Sequence, residues 1–283
     1  MEWVERLNCA MRYIEEHLTD EIDFDEISKM TLCSSYHFQR MFSYMADVPL
    51  SEYIRRRKMS RAAVDLQDET NKVLDIALKY GYDSPTAFNR AFQRIHGIAP
   101  SEVKGSRHLL KAYPSISFNI SIKGESPMDY RIEKKEAFRI IGISAPLEKE
   151  IEKNFEVVPA MWGKAAQDGT IQKLATMMDG ELKGLLGVSA CNEASDWKYY
   201  IAVASHQAIE MAFEEFVVPE ATWAIFEGKG SNLSIQELER RIVAEWLPTS
   251  GYEYGNAPDI EVYINPDPEN AMYEVWIPVV KKH

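Results

Sequence analysis

Two stretches of this chain set out side chains that could read a nucleic acid, at the same spacing. Phe38-Gln39-Arg40-Met41-Phe42 and Phe88-Asn89-Arg90-Ala91-Phe92 both spell Phe-x-Arg-x-Phe. On a helix, phenylalanines four apart share one face and turn the residues between them elsewhere. If the rings face a core, Gln39, Arg40, Asn89 and Arg90 are left for a partner. An arginine can fork onto guanine, and a glutamine or asparagine onto adenine. Tyr36 and Thr86, one turn earlier, suit a thymine methyl or a phosphate. The phosphate contacts expected beside them are Arg55, Arg57 and Lys58, with the amide ends at Ser34, Ser35 and Ser84. The other reading of these charges is a solvated helix face. His37 and His96 read as packing or surface residues.

A second kind of chemistry sits near the C-terminus, in Asp259-Ile260-Glu261-Val262-Tyr263. Strand alternation puts Ile260 and Val262 on one face, packed under helices, and Glu261 with Tyr263 on the other. A carboxylate among aromatic rings is a cation site. Trp162, Tyr199, Tyr200, Trp223, Tyr263 and Trp276 are the candidate lining, with Glu274 as a weaker second carboxylate. The competing reading is catalytic: Glu261 as base or nucleophile and Tyr263 as acid, in a small-molecule hydrolase. No Ser-His-Asp set, Gly-rich phosphate loop or zinc spacing supports catalysis, so no cofactor or metal is expected. A third reading is a protein-docking module.

These residues need elements to hold them. The 283 residues are 46% hydrophobic and 27% charged, which fits two globular domains. No apolar run is long enough to span a membrane and the N-terminus lacks a signal-peptide core. Cys9, Cys33 and Cys191 form no pair of useful spacing, so a reduced, cytoplasmic protein is expected. The net charge of −12 is unevenly spread: residues 1–108 hold 15 Lys and Arg against 17 Asp and Glu, the remainder 17 against 27. Within 34–61, six basic residues face two acids, a local stripe that suits a phosphate backbone.

Helical periodicity predicts an all-α first domain over 1–108. Trp3, Leu7, Ala10, Met11, Ile14 and Leu18 form one stripe. Short helices over 24–30 and 35–45 flank the turn at 31–34, a helix-turn-helix. A longer helix follows from Pro49 to about 68. Then the pattern returns, with helices over 73–80 and 85–95, an internal repeat of about 50 residues. A joining helix of about 20 residues is roughly 30 Å long, close to one DNA turn. Two recognition helices could then enter successive major grooves from one chain, which favours a monomer. Pro85 removes one side chain that could have reached a base. A linker is expected over 109–127.

From 128 to 283 the period changes to two. Strands are read around 130–132, 138–144, 185–188, 199–203, 223–228, 260–264 and 273–278. Helices are read over 150–165, broken near Pro159, and over 234–246, capped by Ser234. Two strand-helix-strand-strand repeats predict an α+β domain with an antiparallel sheet.

Residues 20–104 resemble the DNA-binding domain of the AraC family of transcription regulators. The resemblance rests on Ile27, Ser34, Phe38-x-Arg40-x-Phe42, Pro49-x3-Tyr53, Arg57 and Ala62, and on Ile76-Ala77-x3-Gly81-Tyr82-x-Ser84-x3-Phe88-x-Arg90-x-Phe92-x4-Gly97-x2-Pro100. Asp47 stands where the family has glycine; Asp tolerates a left-handed turn. The resemblance implies a structural place for Arg57 near the domain centre. Residues 128–283 resemble the GyrI-like small-molecule-binding domain, through Phe138-x-Ile140-x-Gly142, Pro219-x3-Trp223-Ala224-x-Phe226-x-Gly228, Ile260-Glu261-Val262-Tyr263 and Glu274-x-Trp276-Ile277-Pro278-Val279. It implies a ligand-facing Glu261. The order of the two domains resembles the Rob-type regulators. The implied function is a sequence-specific regulator that binds double-stranded DNA and a small hydrophobic or cationic effector, with RNA polymerase a candidate partner and no membrane role.

Overall fold

In a computed structural model the chain divides into two units, Met1–Ile120 and Ser121–His283. The structure describes residues 3–104, 108–119, 127–148, 151–191, 197–209, 211–265 and 271–282. No helix among them is long and apolar enough to cross a membrane.

The first unit is helical: α1 (Trp3–Glu16), α2 (Phe24–Thr31), α3 (Ser35–Ala46), α4 (Leu50–Asp65), α5 (Val73–Lys79) and α6 (Pro85–His96). The predicted stripe of α1 is buried throughout. Each helix-turn-helix is stopped and restarted by local chemistry. Asp23 caps α2 by accepting from the Asp25 and Glu26 amides, and Ser34 and Ser84 cap α3 and α6 by accepting from His37 N and Ala87 N. Asp47 and Gly97 end the two recognition helices in the same left-handed conformation, at φ 52° and 79°. Asp47 therefore does the work expected of the missing glycine. Leu32 ends α2 in that conformation too, at φ 57°.

The joining helix is shorter than the sequence predicts. Pro49 is its N-cap, not its first residue, and it stops at Asp65. Asn71 Nδ2 donates to the Asp65 carbonyl and Asp68 accepts from the Thr70 amide, so 66–71 forms a turn instead. Sixteen residues give about 24 Å, not 30.

The 109–127 segment also differs from a free linker over its first part. Tyr113 N donates to Ser60 Oγ, Ile116 N to the Tyr53 hydroxyl and Phe118 N to Asn8 Oδ1. Lys111 N donates to His96 Nδ1. The extended strap of residues 108–119 is thus tied to α1, α4 and α6. Residues 120–126 lie outside the described residues.

The second unit is an antiparallel sheet with helices: β1 (Tyr130–Lys135), β2 (Phe138–Pro146), α7 (Ile151–Gln167), α8 (Thr170–Thr176), β3 (Leu185–Cys191), β4 (Trp197–Ala204), β5 (Glu214–Val218), β6 (Ala221–Gly230), α9 (Asn232–Arg241), α10 (Leu247–Thr249), β7 (Tyr252–Tyr254), β8 (Asp259–Asn265) and β9 (Ala271–Lys281). The strand order is β1-β6-β9-β8-β3-β4-β2-β5, with β7 on β9. The halves 6-9-8 and 3-4-2 mirror each other across the β8–β3 ladder. Each half also lends its leading strand, β1 or β5, to the far edge of the other. That is the predicted pair of repeats with exchanged edges. Lys134, Lys135, Glu214 and Glu215 put charge on both edge strands, which discourages further strand addition.

Two helix readings are corrected. Pro159 lies inside α7, which continues through it. Ser231, not Ser234, is the cap residue of α9, because the Ser234 hydroxyl is hydrogen-bonded to the Ser231 carbonyl and to Tyr273. Between α9 and α10 the helix widens into a π turn, Ile242–Trp246, just before Pro248. A proline has no N–H to donate to the carbonyl four residues back, and the wider turn accommodates that loss.

Candidate functional site: two recognition helices and a carboxylate under aromatic rings

Phe38, Phe42, Phe88 and Phe92 are fully buried and Met41 is buried with them, so Gln39, Arg40, Asn89 and Arg90 are the residues of the repeated motif that lie off the core. On α6, Thr86, Asn89 and Arg90 are exposed. On α3, Tyr36, Gln39 and Arg40 are half-buried, and Arg40 Nε lies 3.4 Å from the Tyr44 hydroxyl with the guanidinium over its ring. Both triplets are therefore brought to the outward faces of the two recognition helices. His37 and His96 are buried packing residues.

The expected phosphate contacts divide. Arg55 and Arg56 both pair with Glu52 on α4, all three half-buried. Arg57 is held inside: Nε and Nη2 each lie 2.7 Å from the Glu15 carboxylate, and Nη1 donates to the Tyr113 carbonyl. Tyr53 completes this group, its hydroxyl 2.7 Å from Glu15. Burial raises the Glu15 pKa, but the Arg57 and Tyr53 hydrogen bonds outweigh it and hold the carboxyl below its ordinary value. Lys58 is also committed. Its ammonium donates to the Tyr80 carbonyl at the end of α5, and burial lowers its pKa. A cation at a helix C-terminus satisfies an orphan carbonyl. Arg57 and Lys58 thus each hold partners within the first unit, Glu15 with the Tyr113 carbonyl and the Tyr80 carbonyl. Ser34 and Ser84 use their hydroxyls as caps, accepting from the His37 and Ala87 amides.

In the second unit, Glu261 projects at the centre of the sheet, opposite Gly187 across the β3–β8 ladder. Its Oε2 accepts from Tyr263 at 2.9 Å and from Tyr199 at 3.2 Å. Trp162 of α7 donates Nε1 to the Tyr199 hydroxyl at 2.9 Å and stands edge-on to Tyr263 with ring centroids 4.9 Å apart. Burial, with the Glu261 charge, pushes the Tyr263 phenol well above its ordinary range. Four predicted residues, Trp162, Tyr199, Glu261 and Tyr263, form one hydrogen-bonded group.

The other four go elsewhere. Tyr200, Trp223 and Trp276 are buried with Ile260 and Val262 in an apolar layer on the opposite face. Trp223 Nε1 donates to the Pro258 carbonyl. Glu274 accepts from Trp276 Nε1 at 2.7 Å and from Arg131 at 2.8 Å, in an ion-pair group with Glu133 and Glu227 around Arg131. The expectation that Ile260 and Val262 lie under the helices is also reversed. Trp162 of α7 and Ser234 of α9 both bond to rings on the Glu261 side, so that side carries the helices. The strand alternation was read correctly; alternation alone cannot say which face a helix covers.

Two contributors were not legible as site residues. A Cβ on Gly187 would fall 2.2 Å from the Tyr199 hydroxyl oxygen and 2.8 Å from Glu261 Oε2, so this glycine is the floor that the pair needs. Glu239 of α9 is a second buried carboxylate near Tyr263 and Tyr273. Only the strand context of Gly187 could have hinted at a close approach. Among the described residues no group of His, Cys, Asp and Glu could hold a metal ion.

The GyrI-like small molecule binding domain model matches residues 128–280, and a helix-turn-helix domain model matches 27–106. Among curated proteins, the chain is similar to the HTH-type transcriptional activator AarP of Providencia stuartii, 42% identical over 89 residues, 31% of this chain and 66% of AarP. It is similar to the regulatory protein SoxS of Salmonella typhimurium, 34% identical over 98 residues, 35% of this chain and 92% of SoxS. Among solved structures, SAV2435 bound to tetraphenylphosphonium is 19% identical, with a TM-score of 0.48, covering 54% of this chain and 94% of that one.

Proposed function

This chain belongs to the GyrI-like small-molecule-binding family and carries an AraC-type helix-turn-helix domain ahead of it; from that premise we propose how its residues divide the work of an effector-binding, DNA-binding transcription regulator. The outward face of each recognition helix reads bases: Tyr36, Gln39 and Arg40 from α3, Thr86, Asn89 and Arg90 from α6. Arg55, with the amide ends of α3 and α6, positions the phosphates. The observation that carries this reading is the exposure of the α6 triplet beside two fully buried phenylalanines. One monomer spans both half-sites in the cytoplasm, and RNA polymerase is its protein partner at the promoter.

The effector is hydrophobic or cationic and enters at Glu261, between Trp162, Tyr199 and Tyr263. A carboxylate satisfied by two phenols in a half-buried aromatic setting is suited to a cation that replaces those hydrogen bonds with charge pairing and ring contact. A hydrolytic role for Glu261 with Tyr263 is less well supported. Both residues are already tied in one hydrogen bond, and the Tyr263 proton is held more tightly than in a free phenol. The test is Glu261→Gln in the full chain. Binding of a tetraarylphosphonium or quaternary ammonium probe, followed by tryptophan fluorescence, is expected to weaken at least tenfold. Unchanged binding rejects the assignment.

A further inference from the structure

The face of α6 that carries Thr86, Asn89 and Arg90 continues for another turn. Gln93 is exposed, three residues past Arg90 and four past Asn89. At 100° per residue it falls between those two on the helix face, away from the buried side made by Phe88, Phe92, Ile95 and His96. Thr86, Asn89, Arg90 and Gln93 therefore occupy positions i, i+3, i+4 and i+7. That is the spacing by which a homeodomain recognition helix reaches base edges in a major groove. From Thr86 to Gln93 the rise is about 10 Å, or three base-pair steps.

The two halves of the repeat differ at this fourth position. Its counterpart in α3 is Ser43, whose hydroxyl donates to the Gln39 carbonyl at 2.9 Å. That short side chain is occupied by its own helix. Gln93 has a longer arm and an amide that can pair with both adenine edge groups at once. The N-terminal end of α6 is correspondingly poorer, since Pro85 has no polar side chain. Reading on α6 is thus shifted toward its C-terminal half.

We propose that Gln93 is a specificity-determining residue, reading one base pair, preferentially A·T, at the α6 end of the site, with no equivalent at the α3 end. This rests on the assignment of the α6 face to DNA, and the experiment separates the two. The full-length protein is used to select duplexes from a randomised pool, in parallel with Asn89→Ala, Gln93→Ala and Gln93→Ser; the last carries the residue found in α3. The expected result is that both Gln93 variants lose about tenfold preference at one position, distinct from the position lost in Asn89→Ala, with unfolding midpoints unchanged. If Asn89→Ala flattens a position and the Gln93 variants keep every preference, Gln93 does not read a base and the proposal fails alone. A uniform loss of affinity with preferences intact makes Gln93 a phosphate contact and also overturns it. If no variant, Asn89→Ala included, changes the selected sequence, the α6 assignment falls and takes this proposal with it.

Discussion

Gly187 and Glu261 face each other across the central ladder of the second unit, and the missing side chain of one makes the position of the other possible. A methyl group at 187 would overlap the Tyr199 hydroxyl oxygen at 2.2 Å. Gly187→Ala is therefore expected to displace Tyr199 from Glu261 and to weaken cation-probe binding at least tenfold, read by tryptophan fluorescence. Gly163→Ala, on α7 with open space around its would-be Cβ, is the control and is expected to bind normally.

Arg57 and Arg55 carry the same charge and sit on the same helix, but differ in burial and in partner. Removing Arg57 strands the Glu15 carboxylate, with both side chains only 14% exposed. Arg57→Ala is expected to lower stability by about 2–4 kcal/mol, measured by urea denaturation. Arg55→Ala should cost no more than about 0.5 kcal/mol, since its pair with Glu52 is near the surface. It should instead reduce the salt dependence of DNA binding by about one unit of slope. The reverse pattern would exchange the two roles.

Leu32 is an exposed leucine in a left-handed backbone conformation. That conformation costs an ordinary residue about 1–2 kcal/mol, and glycine costs about 0.5–1 kcal/mol in the unfolded chain. Leu32→Gly is thus expected to raise stability by roughly 0.5–1 kcal/mol in chemical denaturation. A loss of stability would show that the leucine side chain makes a contribution larger than its strain.

His96 gives the first unit a pH dependence. Its Nδ1 accepts from the Lys111 amide, so in the neutral ring Nε2 carries the proton and donates to the Met59 carbonyl. Burial lowers its pKa below the usual 6.5, with the Met59 bond acting against burial and the Lys111 charge acting with it. A base with a depressed folded pKa binds fewer protons folded than unfolded. Its contribution is complete above the unfolded pKa, and declines as pH falls from there toward the folded pKa. The thermal midpoint of wild-type protein should drop more between pH 7.5 and 5.5 than that of His96→Gln. Equal drops would remove His96 as the cause.

Much of this was legible in the sequence for a definite reason. Phe38, Phe42, Phe88 and Phe92 recur at a helical period, and period fixes face, so the outward residues followed. Glu261 and Tyr263 shared a face for the same reason in a strand. What period does not fix is the register between strands, and the register places Tyr200, Trp223 and Trp276 on the Ile260 side, opposite Glu261. Nor does it tell which cations have partners. The family resemblance sets Arg57 apart, but Lys58 looks like Arg55 in the sequence, and Glu15 and the Tyr80 carbonyl are brought to Arg57 and Lys58 only by the fold. The strap at 108–119 gives no sequence signal, because its hydrogen bonds to α1, α4 and α6 are made by backbone amides.

In the proposed function, one chain reads DNA with two recognition helices. The most direct test is to measure binding to a duplex selected by the wild-type protein, with every position varied in turn, for wild type, Arg40→Ala and Arg90→Ala. Each variant is expected to lose selectivity over its own short stretch, the two stretches about one helical turn, or roughly 10 base pairs, apart. Loss confined to one shared stretch, or no loss in either variant, would contradict it.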